Sequence, residues 1–117
     1  MNPLQGLRIE EADGIVVARF SGEIDLANAR DARDDLIGAI PNSALGLVVD
    51  LTAVSYLDSS GVHLLFELAD RLRKRQQQVR LVVPEGAPMR RVLKIVEIQG
   101  VVPVLATVDE AAADLRR

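Results

Sequence analysis

The chain has 117 residues, about the size of one domain, with 49% apolar side chains, 3% aromatic side chains and a formal net charge of −3. These figures argue against a disordered chain, against nucleic-acid binding by phosphate neutralisation and against base- or sugar-stacking platforms. There is no cysteine and one histidine, His63, which excludes disulfide and thiol chemistry and a multi-histidine metal site within one chain.

Leu7-Arg8-Ile9-Glu10 alternates apolar and polar residues, the pattern of a half-buried strand. Asp13-Gly14 is a hairpin-turn signal, so Ile15 to Phe20 reads as a second strand antiparallel to the first. Ser21 to Ile24 lead out of it. Asp25 is a candidate helix N-cap, with Leu26, Ala29, Leu36, Ile37 and Ile40 at helical spacing behind it and Pro41-Asn42 as the stop. Leu47-Val48-Val49 is a continuous apolar run and predicts a central strand buried on both faces. A turn-rich stretch follows, then Asp58-Ser59-Ser60-Gly61 and an apolar helix to Arg75. Val79 to Val83 reads as another buried strand, and Pro88 to Ile98 as a third helix with Gly100 as its stop. Val101 to Leu105 predicts a weak edge strand, since Pro103 cannot donate to a ladder. Thr107 to Glu110 is a capping box that opens a last short helix to about Leu115. The order ββαβαβα(β)α predicts an α/β fold, a mostly parallel sheet with an antiparallel hairpin at its start. No apolar run approaches the ~18 residues of a membrane span. Met1 to Gly6 lack the basic and apolar regions of a signal peptide. A cytoplasmic protein is therefore expected.

Two strand-to-helix junctions are the candidate site. With Asp58 as N-cap, Leu57 and Val62 form a hydrophobic staple, and Ser59 and Ser60 are the first two helical residues. Small side chains there leave the amides at the positive helix end open to an anion, and a phosphate on a serine would gain those contacts. The same residues also fit a plain capping sequence. Gly22-Glu23-Ile24-Asp25 is the second junction; its carboxylates would lie near Ser59 if both junctions share one end of the sheet, although Asp25 also fits a simple cap. His63 is four residues after Ser59, so Ser59, His63 and Asp58 superficially resemble a hydrolytic triad. No Gly-x-Ser-x-Gly elbow or oxyanion donor accompanies them, so no catalytic residues are expected. Arg71, Arg73, Lys74 and Arg75 suit a helix C-terminus or, less simply, an anion site. Arg90, Arg91 and Lys94 are candidates for a partner surface.

The hairpin, Gly22-Glu23-Ile24-Asp25, Val48-Val49-Asp50-Leu51 and Leu57-Asp58-Ser59-Ser60-Gly61, in that order, resemble a STAS domain. In particular they resemble the bacterial anti-sigma factor antagonists. The resemblance spans about Leu7 to Leu115, with residues 1–117 read as one domain. It departs from the common motif at Ile24, where the family often has leucine.

The resemblance implies a non-enzymatic switch in stress response or sporulation. The unphosphorylated form binds an anti-sigma factor that is also a serine kinase, and a sigma factor is released. The kinase supplies its own ATP and magnesium and modifies Ser59; a serine phosphatase reverses the step. The implied partner-binding residues are Glu23, Asp25, Asp58, Ser60 and Gly61, with no cofactor or metal, no nucleic acid, no membrane, and a monomer or weak dimer. The alternative is a STAS scaffold, self-associating through Val101 to Leu105, or a subunit tied to a transporter or to lipid trafficking.

Overall fold

The computed structural model describes residues 6–117; the reading of Met1 to Gln5 lies outside the described residues. The hairpin sets the first two strands. Asp13 and Gly14 both take positive φ, 52° and 80°, the conformation that matches a two-residue turn to the twist of its strands. β1 (Leu7–Ala12) and β2 (Ile15–Ile24) pair antiparallel from Leu7↔Phe20 to Ala12↔Ile15. β3 (Gly46–Leu57), β4 (Gln78–Val82) and β5 (Val104–Leu105) then add in parallel, so the strand order β1-β2-β3-β4-β5 is the chain order.

Alternate residues of β2 face opposite sides. Val16, Ala18 and Phe20 join Leu47, Val49 and Leu81 beneath three helices, α1 (Ala29–Ala39), α2 (Ser59–Lys74) and α3 (Pro88–Ile95). Leu65, Leu68 and Leu72 of α2 are fully buried there, each worth about 1.5–3 kcal/mol of apolar burial. Ile15, Val17, Val48 and Val82 face the other way and are covered by α4 (Val108–Leu115) through Ala111. The predicted capping box opens α4: the Glu110 amide donates to Thr107 Oγ1 at 3.1 Å. Beyond the reach of α4 that face turns polar. Asp50 accepts from Arg19 Nη1 (2.9 Å), Thr52 Oγ1 (2.6 Å) and the Thr52 amide (3.0 Å).

Several expectations need correction. β1 is mostly exposed rather than half-buried, because it is the sheet edge and extends past α4. The stretch after Val49 is strand, not turns: β3 runs to Leu57. β4 pairs only with Gly46 to Asp50, so the second half of β3 keeps exposed Thr52, Ala53, Ser55 and Tyr56. β2 also continues through Ser21 to Ile24, with register shifts around Ser21 and Gly22. The third helix stops at Ile95. Glu97 enters the left-handed region (φ 57°) and the chain continues as a 3-10 turn, Ile98–Gly100, which seats Ile98 in the core. Glu97, not Gly100, is thus the conformational stop. β5 is reduced to Val104 and Leu105; Val101 is exposed and Val102 buried in the connection before it.

Where β3 and β4 begin, the loops are clamped. Gln77, 3% exposed, donates through Nε2 to the carbonyls of Pro41 (2.8 Å) and Ala44 (2.9 Å). Arg75 Nη2 donates to the Ile40 carbonyl (2.7 Å) and Asn42 Oδ1 (2.8 Å). The Leu45 amide donates to the Gly14 carbonyl (2.7 Å), tying in the hairpin.

Candidate functional site

Parallel pairing of Ile24 with Leu57 brings both predicted junctions to one end of the sheet. The Asp58 amide donates to the Ile24 carbonyl at 3.2 Å. Asp58 is the α2 N-cap, as its sequence position predicts. Its Oδ1 accepts from the Gly61 amide (3.0 Å), while Oδ2 accepts from the Leu26 amide (3.1 Å) across the gap. One carboxylate therefore caps one helix and holds the turn that leads to another.

Gly61, expected among the partner-binding residues, is buried, with its amide bonded to Asp58. A Cβ there would lie 2.8 Å from the Ile24 carbonyl oxygen and against the Leu57 side chain. Its role is to let α2 start hard against the strand ends.

Ser59 is exposed as the first residue of α2, with Ser60 half-buried beside it. Among the described residues neither hydroxyl has a hydrogen-bond partner, and neither amide has an acceptor. Unpaired amides at the positive end of a 16-residue helix suit an anion.

Asp25 is not a helix cap. Its Oδ1 accepts from the Ala27 amide (3.0 Å), an Asx turn, and its own amide donates to Asn28 Oδ1 (3.0 Å). Asn28 Nδ2 returns to the Glu23 carbonyl at 2.9 Å. This turn delays α1 until Ala29, and Asn28 at the cap position makes no side-chain cap bond. Glu23 itself is exposed at the end of β2. The sequence placed Leu26 on the buried helix face; it is 80% exposed, because it stands on the turn and not on the helix.

His63 is exposed and points along the helix, its Nε2 3.7 Å from Glu67 Oε1. Glu67 also receives Arg33 Nη1 at 3.2 Å. The Arg33 guanidinium is held charged more firmly than usual by hydrogen bonding to Asp34 and by the nearby Glu67 charge. Both Asp58 oxygens are occupied by backbone amides, so no Asp-His-Ser relay exists among these residues.

A cleft of about 660 Å³ lies between the starts of α1 and α2, lined by Leu26, Arg30, Ser59, Ser60 and His63 among others. A larger groove of about 820 Å³, between Phe66, Arg73, Gln77 and Val101, contains no residue of the two strand-to-helix junctions. Three members of the basic cluster are already committed. Arg73 and Lys74 pair with Asp70 (2.8 and 3.1 Å), which lowers the Asp70 carboxyl below its ordinary value, and Arg75 holds the Ile40–Asn42 loop. Arg90 Nε donates to the Val83 carbonyl at 2.9 Å.

The STAS domain family matches residues 7–111, nearly the whole of the described chain. The chain belongs to the STAS family. A Bordetella bronchiseptica protein named as an anti-sigma factor antagonist, BtrV, is 30% identical over 108 residues, covering 92% of this chain and 91% of that protein. The crystal structure of an anti-sigma factor antagonist from Mycobacterium paratuberculosis superposes with a TM-score of 0.83 at 29% identity, covering 95% of this chain and 93% of that one. A stretch of 71 residues, 59% of the chain, is 44% identical to an Arabidopsis thaliana protein named as sulfate transporter 3.4, of which it spans 11%. The α/β architecture, with its antiparallel opening hairpin and parallel remainder, is the STAS fold expected from the sequence. Among the described residues no helix is long and apolar enough to cross a membrane, and no group of acidic or histidine side chains could hold a metal ion.

Proposed function

We propose that this STAS chain is an anti-sigma factor antagonist whose binding is switched by phosphorylation of Ser59. The unphosphorylated protein binds an anti-sigma factor that is also a serine kinase, and a sigma factor is released. The kinase, with its own ATP and magnesium, modifies Ser59; the complex dissolves, and a phosphatase resets it. Glu23, Asp25, Asp58 and Ser60 form the partner-facing rim of a single binding unit in the cytoplasm.

One observation carries this reading: Ser59 is the first residue of α2, exposed, with hydroxyl and amide unpartnered, beside a cap whose oxygens are already engaged. A phosphate there adds about −1.5 to −2 charge at a helix end that favours anions, so the fold tolerates it. A partner surface fitted to the neutral serine does not. A repulsion of about 3 kcal/mol lowers affinity a little over a hundredfold. The test is intact mass and peptide mapping after incubation with anti-sigma kinases and MgATP. One phosphate on Ser59, absent from Ser59→Ala, is expected. Ser59→Ala should bind the kinase persistently and Ser59→Asp poorly; equal binding by both rejects a charge switch.

The 44% identity to a transporter segment favours a second reading, a STAS unit within a larger assembly, in which Ser59 only opens a helix. Light scattering on the purified protein separates the two. A monomer or weak dimer at high concentration supports the switch, and a stable large assembly supports the scaffold.

A further inference from the structure

Leu26 is the most exposed large apolar residue described, at 80%. A lone exposed leucine requires no explanation. Its setting does. The turn that presents it is fixed by four side-chain hydrogen bonds: Asp58 to the Leu26 amide, Asp25 to the Ala27 amide, and Asn28 to both the Asp25 amide and the Glu23 carbonyl. Ile95 and Val101, 73% and 58% exposed, are held by the backbone bonds of α3 and the 3-10 turn, with no side-chain bond to their segment among the described residues. Exposed apolar surface held rigid loses little freedom when a partner covers it.

We propose that Leu26 is a preformed apolar anchor for the serine kinase that modifies Ser59, an inference that rests on the phosphoswitch reading. Leu26 and Ser59 line the same cleft. A protein partner buries about 800 Å² on each side, a disc roughly 16 Å in radius. A kinase centred on the Ser59 hydroxyl therefore covers Leu26. Arg30, Asp31, His63 and Glu67 surround the cleft with both signs of charge, a polar ring that keeps water from a central contact. The matching kinase surface carries an apolar pocket beside its serine-binding site.

The experiment measures steady-state phosphorylation of Ser59 by the purified anti-sigma serine kinases of the source genome, each assayed singly with MgATP. Leu26→Ala is expected to raise KM about tenfold with kcat unchanged, the signature of lost binding that does not touch the chemistry. Leu26→Met should stay near the wild type, and Val101→Ala should change neither constant. Thermal melts of all three should match the wild type. An unchanged KM for Leu26→Ala, with Ser59 still modified, overturns the anchor and leaves the phosphoswitch standing. An equal rise in KM for Val101→Ala also overturns it. No modification of the wild-type protein by any kinase overturns both.

Discussion

Where β3 and β4 begin, the side chains of Arg75 and Gln77 close on the carbonyls of the Ile40–Ala44 loop. Where β2 and β3 finish, Asp58 also ties two connections together and Asn28 braces one of them, yet Ser59 and Ser60 keep unpaired hydroxyls and Leu26 stays in solvent. Both ends use polar side chains as ties between crossovers. At one end the ties close on loop carbonyls next to buried Ile40 and Ala44; at the other they present unpaired groups to solvent. Rigidity is therefore not what separates a structural end from a binding end. The difference lies in which groups are left without partners once the ties are made.

The largest expected effect falls on the core that both ends share. Leu65→Ala removes a fully buried side chain and should cost about 2–5 kcal/mol in denaturant unfolding. Gln77→Ala should cost about 1–3 kcal/mol, because the carbonyls of Pro41 and Ala44 lose a buried donor. That loss outweighs relief for Gln77 Oε1, which has no partner of its own. Phosphorylation of Ser59 should survive this change, and its disappearance would erase the contrast between the ends. Asp58→Ala should lose about 1 kcal/mol as a cap and also release the Leu26 amide to fast hydrogen exchange. Ser59→Ala, which breaks no bond, should stay within ~0.5 kcal/mol of the wild type. The smallest effect depends on pH. Arg80 hydrogen-bonds the Asp114 carboxyl and holds it below its ordinary value. The depressed value means this contribution is present above the unfolded carboxyl's range near pH 4 and fades as pH falls through the folded value. Asp114→Asn should lower stability slightly at neutral pH, match the wild type in strong acid, and so flatten the acid limb of a stability–pH profile.

The elements legible in the sequence are those whose signal is local. Asp13-Gly14, Thr107 with Glu110, Pro88 at a helix start and the run Leu47–Val49 each specify backbone geometry within a few residues. Asp58 was legible for the same reason. Asp25 was not, because a carboxylate two residues before a free amide and a carboxylate at a helix cap are the same residue type in the same kind of sequence. The choice was made by Asn28, whose side chain turns back onto Glu23 and Asp25. The second half of β3 read as turns because serine, threonine and tyrosine mark solvent. It is a strand exposed to solvent where β4 stops short. Leu26 followed from the Asp25 error. The Gln77 clamp joins residues more than thirty apart, and no short-range pattern announces it.

A sheet whose strand order is its chain order can grow by addition at one edge. No strand must be inserted between two that are already paired, so each new pairing closes only the loop of the preceding crossover, and the entropy of closure stays modest. Such growth exposes a fresh parallel edge at every step, and an exposed edge invites a strand from another molecule. The chain ends the series with a strand of two residues preceded by Pro103, a residue with no amide hydrogen to offer. The terminal edge of the series is thus poorly able to recruit another strand.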